Sequence, residues 1–134
     1  MPKQEAPLLQ LQDYLPAGSF EAVLYYLQHH KVHLTISRKR QSILGDYRHA
    51  HSEKNHRISV NGNLNKYAFL ITLLHELAHL FTYEIFGHRV QAHGKEWKDE
   101  FGKILAKFLL HKIFPPEKEK ALMEYLIIHK RITL

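Results

Sequence analysis

The chain has 134 residues, of which 45% are hydrophobic and 24% charged, so it can bury one core. Nineteen Lys and Arg against 13 Asp and Glu give a net charge of +6, which suits a phosphate-rich partner such as nucleic acid. Because there is no cysteine, disulfides, thiolate metal sites and cysteine nucleophiles are excluded. Any bound metal ion must be held by imidazole or carboxylate groups.

Neither a targeting segment nor a repeat is visible in the sequence. The longest apolar run, residues 67–74, is interrupted by His75 and Glu76 and is much shorter than the roughly 20 residues that span a bilayer. The N-terminus lacks the basic, apolar and small-residue regions of a secretory signal. We therefore expect a cytoplasmic protein that does not associate with membranes and forms a single domain over residues 1–134.

The first elements in chain order are two helices. Pro7 can begin a short helix that carries leucines at helical spacing until Pro16 and Gly18 interrupt it. Ser19 is a suitable N-cap for a second helix that ends near His30.

Three strands are predicted next. Apolar and polar residues alternate over residues 32–37, and residues 42–48 and 56–61 have similar strand character. Polar loops connect these segments, so we expect a small antiparallel sheet.

Three helices follow the strands. Asn65 can cap a long helix from Lys66 to Phe86, which Gly87 would end. Residues 95–112 carry apolar positions at helical spacing, and Pro116 can begin a last helix. This order predicts an α+β fold, with a small three-stranded sheet packed on helices.

The long helix contains the pattern His75-Glu76-Leu77-Ala78-His79. Two histidines four residues apart on a helix lie about 40° apart and one turn above each other, so they can bind one ion. Glu76 is rotated by about 100° from His75, which places its carboxylate beside the ion, where it can accept a proton from water. The pattern is typical of zinc metallopeptidases.

The alternative is that these are two ordinary hydrogen-bonded histidines. The leucines of the helix lie mainly opposite the histidine face, so the helix is a core element with one polar stripe. Burying two histidines and a glutamate in that stripe would be costly without a compensating ion, which favours a metal site.

A catalytic zinc usually has three protein ligands, so a third is needed. His93, at the junction of a loop and the next helix, is the best candidate, and Gly94 after it would allow close backbone approach. His88 is the nearest competitor. Glu96 and Glu100 could supply a carboxylate, although Glu100 can instead pair with Lys103 on the helix surface.

The stretch from residue 34 to 97 resembles the SprT-like metallopeptidase domain, a family that includes Spartan, a protease for DNA–protein crosslinks. The resemblance rests on Gly45-Asp46-Tyr47, Ile58-Ser59-Val60-Asn61, the His75-to-His79 motif and His93-Gly94-Lys95-Glu96-Trp97. It implies a zincin-like domain in which His75, His79 and His93 bind Zn²⁺ and Glu76 is the catalytic base. Many such proteins also carry a cysteine-based zinc ribbon, which these 134 residues lack. The metzincin spacing is absent too, since Thr82 and Ile85 occupy its Gly and third-His positions.

Other residues could contact a substrate or DNA. The basic rim, which we define as Arg38-Lys39-Arg40, His49, His51, Lys54, His56 and Arg57, could bind phosphates or simply protect a sheet edge. Tyr47, Tyr83 and Trp97 could stack on bases, stabilise an oxyanion or pack in the core. The edge of the strand that precedes the metal-site helix could pair with an extended peptide substrate.

The sequence therefore predicts a zinc-dependent endopeptidase that acts on loosely structured proteins, including proteins attached to DNA. A DNA-binding module with a structural zinc and no proteolytic activity is the alternative. A fourth protein ligand, such as His88, would favour the module, and water at that position would favour the enzyme.

Overall fold

The computed structural model describes residues 7–128. A 3₁₀ helix at Leu8–Tyr14 precedes α1 (Phe20–His29), and three strands follow, β1 (His33–Ser37), β2 (Gly45–Arg48) and β3 (Arg57–Asn61). Three helices follow within the described residues: α2 (Lys66–Phe86), α3 (Lys95–Leu110) and α4 (Pro116–Ile128). The predicted α+β class is confirmed.

The long helix α2 begins and ends where the sequence predicts. The Asn65 side chain accepts a hydrogen bond of 2.9 Å from the Ala68 N–H, and Gly87, at φ 62°, donates its N–H to the Tyr83 carbonyl. Ser19 does precede α1, but it does not cap that helix through its side chain. Its hydroxyl donates to the Pro16 carbonyl at 2.7 Å, which ties the preceding turn together instead.

The sheet is mixed rather than antiparallel. Its strand order is β1-β3-β2, with β1 parallel and β2 antiparallel to β3. The prediction of an antiparallel sheet was wrong for β1, because alternation along a strand does not specify its partner. The prediction of an open edge on β3 was also wrong, since β3 is the central strand and both its edges are paired. Among the described residues, the edges are β1 and β2.

Helix α2 forms the centre of the hydrophobic core. Six of its large apolar side chains are fully buried, namely Phe69, Leu70, Leu73, Leu74, Leu77 and Leu80. One side packs against the sheet, through Leu34, Ile58 and Val60, and another against α3, through Phe101, Ile104, Leu105 and Phe108. By length and composition α2 could cross a membrane, but 50% of that apolar window is buried against the rest of the protein, as in a core helix.

Candidate metal centre

Three histidines converge on one point at the surface of α2. His75 and His79 lie one turn apart on the helix, and His93 reaches them from the segment that precedes α3. The Nε2 atoms of His79 and His93 are 3.0 Å apart, and one ring nitrogen from each of the three residues lies within 4.8 Å of the others. The structure thus brings together all three predicted ligands in a group that could hold a metal ion.

The chemistry of these donors fits a cation such as zinc. Two nitrogens bound to one tetrahedral zinc are separated by about 3.3 Å, close to the observed distance between His79 and His93. Without a cation or a proton between them, two imidazole lone pairs at this distance would repel each other. Burial lowers the pKa of His79 to about 4, and the neighbouring His75 and His93 add to the shift, so His79 is neutral at pH 7. The neutral ring is the form that binds metals.

Glu76 lies beside this group and is only 6% exposed. Its Oε2 is 3.1 Å from Nδ1 of His75. An ionised carboxylate only accepts hydrogen bonds, so Nδ1 of His75 is the donor and the Nε2 lone pair remains available for a metal. A hydrogen bond of this kind also fixes the orientation of the ring.

Trp97 forms the wall of the site behind the three imidazoles. Its ring centroid lies 4.7 Å from that of His75, 5.3 Å from that of His79 and 4.8 Å from that of His93. Its Nε1 donates to the backbone carbonyl of His75 at 3.2 Å. Because Trp97 is only 6% exposed, it is a packing residue that holds the rings in place and has little surface for stacking on a base.

Tyr47 forms the opposite wall. Its ring is nearly parallel to that of His79, with an interplanar angle of 8° and centroids 6.5 Å apart, and its hydroxyl lies 2.9 Å from Nδ1 of His56. Burial raises the pKa of Tyr47, and the nearby Glu84 carboxylate raises it further, so its hydroxyl stays protonated at neutral pH. Because the Ala50 N–H donates to the same Nδ1 of His56, that nitrogen is an acceptor and the Tyr47 hydroxyl is the donor in this bond.

A network of polar side chains continues behind Tyr47. His56 also accepts the Ala50 N–H at 3.1 Å on Nδ1, and its Nε2 is 3.6 Å from a Glu84 oxygen. The other Glu84 oxygen is 2.8 Å from Nδ1 of His30 at the end of α1. His56 is 8% exposed and burial lowers its pKa, so it supports the site wall rather than the basic rim. The sequence carries no signal for this network, because its members are far apart along the chain.

The competing ligands lie outside the histidine group. His88 lines the same cavity, but its ring contacts those of His49 and Tyr83, with centroids 4.9 and 5.3 Å away. Glu100 pairs with Lys103 at 3.1 Å, as the sequence suggested. Neither these residues nor Glu96 belongs to the group that could hold a metal within residues 7–128.

The sequence predicted close backbone approach at Gly94, but at this site the close approach occurs at Gly45. A Cβ on Gly94 would meet its neighbours at 3.4 Å or more, which is ordinary contact. A Cβ on Gly45 would lie 2.8 Å from the Thr72 side chain and 3.2 Å from Cγ of Glu76. Gly45 thus lets β2 pack directly against α2 beside the Glu76 carboxylate.

The basic rim is only partly a solvent-exposed surface. Arg38 and Lys39 are exposed, but Arg40 turns inward and donates to Oδ1 of Asn61 at 2.7 Å and to Oγ of Ser59 at 3.0 Å. Arg40 therefore ties the connection between β1 and β2 to the central strand.

Comparison with known proteins identifies the family. The model of the SprT-like family matches residues 11–115, which includes the three histidines and Glu76. The chain belongs to the SprT-like family. Among similar proteins, the Protein SprT of Pseudomonas putida F1 is 56% identical over 27 residues, and that of Pseudomonas fluorescens SBW25 is 52% identical over the same length. Each match covers 20% of this chain and 16% of the relative's length. No solved structure shows a significant match.

Proposed function

We propose that this SprT-like protein is a zinc-dependent endopeptidase with a zincin-like centre. The observation that supports it most is the convergence of His75, His79 and His93 on one point, with the buried Glu76 carboxylate beside them. This group opens into a cavity of about 770 Å³, so a peptide has access to it. Family membership is consistent with a metallopeptidase-like role.

The three histidines and Glu76 have different roles in the proposed mechanism. His75, His79 and His93 would hold the ion, with His75 fixed by its hydrogen bond to Glu76. A zinc ion bound there would polarise the scissile carbonyl and make water more acidic. The Glu76 carboxylate would accept a proton from the attacking water and pass it to the leaving amine nitrogen.

The substrate would bind along β2. This strand is an edge of the sheet within the described residues, and Gly45, Asp46 and Tyr47 line the cavity together with Glu76. An extended peptide could add to such an edge through main-chain hydrogen bonds. Ile43 and Leu44, just before β2, are 42% and 54% exposed and would contact apolar substrate side chains. Only a loosely structured segment can adopt the extended form that strand addition requires.

We further propose that the substrates include proteins attached to DNA and that the protein acts in the cytoplasm. The support is the net charge of +6 and the absence of cysteine. For the alternative, a module with a structural zinc, a fourth protein ligand would be needed. His88 lines the same cavity and is the candidate for that role, and it packs against His49 and Tyr83 instead.

The test compares the proteolytic activity of the Glu76→Gln variant with that of the parent protein. The Glu100→Gln variant is the matched control. Both remove one carboxylate from a helix, but that of Glu100 pairs with Lys103 and is not part of the histidine group. We expect zinc content and fold to survive in both variants. Cleavage of a denatured, fluorescently labelled protein, measured with and without DNA, should fall by about 10²- to 10⁴-fold only in Glu76→Gln. If Glu76→Gln cleaves as fast as the parent, or the parent with zinc bound does not cleave at all, the peptidase proposal is wrong.

A further inference from the structure

The face of the sheet that turns away from α2 carries a row of basic side chains. Ile58 and Val60 of β3 are buried in the core, so Arg57 and Ser59 point to the other face. In the sheet register Arg57 lies between His33 of β1 and Arg48 of β2. Arg57 and Arg48 are directly opposite each other, and like charges at such positions on neighbouring strands are destabilising unless a counter-charge lies nearby.

A second cavity, of about 750 Å³, opens over this row. Among residues 7–128, four cationic side chains and His33 line it together with two carboxylates. The cations are Lys31, Arg48, Lys54 and Arg57, and the carboxylates are Asp46 and Glu53. Asp46 already pairs with Arg48 at 3.1 Å. The cavity therefore keeps an excess of positive charge.

The guanidinium of Arg57 is not fully satisfied. Its Nε is buried and has no hydrogen-bond partner among residues 7–128. A buried donor on a charged group is costly to leave unpaired, and a water molecule or an anion can satisfy it. Arg57 is the central member of the row and lines the cavity, so an anion bound beside its guanidinium would offset the charge of its neighbours.

Lys31 adds an independent observation. It follows α1 in a Schellman motif, with its N–H bonded to the Gln28 carbonyl and the Val32 N–H bonded to the Leu27 carbonyl. Its φ of 54° is in the left-handed region, where glycine is the preferred residue. The chain thus has a lysine that lines the cavity at a position where glycine would be less strained.

We propose that this cavity binds a phosphate-class oxyanion, either free phosphate or a phosphate group of a nucleic acid backbone. Arg57 and Arg48 would supply guanidinium donors from the sheet, and Lys31 and Lys54 would supply ammonium groups from the rim of the cavity. This site goes beyond the proposed peptidase activity. The metal centre lies on the other side of β2, where Gly45 and Tyr47 face α2.

The test is calorimetric titration of the intact protein with inorganic phosphate at constant ionic strength. We expect binding with a Kd of about 1 mM or tighter. Arg57→Met should weaken it at least tenfold, because it removes a charge-assisted donor. It should not lower the melting temperature without phosphate, whereas a merely structural role of Arg57 would lower it. Lys31→Gly should weaken binding about two- to fivefold, the effect of one exposed charge, while its relaxed backbone preserves the fold.

Lys112→Gly is the matched control. Lys112 also has a positive φ, of 56°, but it follows α3 and its ammonium pairs with Glu119 at 2.9 Å. We expect this variant to bind phosphate as the parent does. His93→Ala should also retain phosphate binding, which separates this site from the metal centre and makes the outcome independent of the peptidase proposal.

A competition experiment distinguishes free phosphate from the backbone phosphates of a nucleic acid. If a single-stranded oligonucleotide competes with phosphate in the parent and loses affinity in Arg57→Met, the site binds backbone phosphates; if it does not compete, the ligand is a free phosphate. Either result supports the site. Absence of phosphate binding in the parent, or equal binding by the parent, Arg57→Met and Lys31→Gly, would overturn the proposal.

Discussion

Replacing Gly45 with alanine should damage both the fold and the metal centre. The added Cβ would lie 2.8 Å from Cγ2 of Thr72, 3.1 Å from the Ser59 carbonyl oxygen and 3.2 Å from Cγ of Glu76. One of these neighbours is backbone of the central strand, so the contact cannot be relieved by a side-chain rotation alone. Overpacking of this kind costs about 1 to 3 kcal/mol.

This penalty is large enough to measure. For a domain of this size, 1 kcal/mol shifts the melting temperature by about 4 °C, so Gly45→Ala should melt about 4 to 12 °C below the parent. The proposed proteolytic activity, assayed below the melting transition, should also fall, because the nearest movable neighbours are Thr72 and the catalytic candidate Glu76.

Gly94→Ala is the control for this prediction. Gly94 is adjacent to His93, but its φ is −78° and a Cβ there would make only ordinary contacts. Thermal unfolding and activity of Gly94→Ala should therefore stay close to those of the parent. If Gly45→Ala melts within about 1 °C of the parent, the close packing of β2 on α2 is not as described.

Three further predictions concern the metal, pH and DNA. His93→Ala should lower zinc affinity by at least about tenfold, because His93 is one of three proposed ligands. Far-ultraviolet circular dichroism should show a retained fold, because His93 is exposed. Unchanged zinc content after dialysis would rule out His93 as a ligand. Burial lowers the pKa of His56, so below about pH 6.5 the unfolded chain takes up a proton before the folded protein does. The free energy of unfolding should therefore fall as the pH drops through that range. In the His56→Gln variant it should fall less steeply. DNA should bind without sequence preference at low salt and more weakly at physiological salt, as titration of a labelled oligonucleotide would show, and no binding at low salt would contradict a backbone-phosphate interaction.

Local signals in the sequence predicted the helices well. The Asn65 cap, the interruption at Gly87 and Pro116 at the start of α4 are short-range features that depend on neighbouring residues only. The same locality explains why His75 and His79 could be placed on one face of α2. His93 is 14 residues away from His79 in the sequence. It could be predicted as a ligand because a catalytic zinc usually has three protein ligands.

Strand pairing could not be predicted in the same way. Residues 58–61 alternate between apolar and polar types, which indicates a half-buried strand, yet all four are buried. Arg40 covers Ser59 and Asn61 from the outer face through its hydrogen bonds, so the polar side of β3 is closed as well. This long-range contact, like the bridge from Glu84 to His30 and His56, depends on the tertiary fold and leaves no pattern in the sequence.

The most direct measurement of the central claim is X-ray absorption spectroscopy at the zinc edge of the purified protein. We predict one zinc per chain with three imidazole nitrogen ligands, from His75, His79 and His93, and the remaining coordination open to water. In His93→Ala one imidazole ligand should disappear from the spectrum. A fourth protein ligand in the parent would contradict a catalytic centre, and a protein that takes up no zinc would contradict the metal site itself.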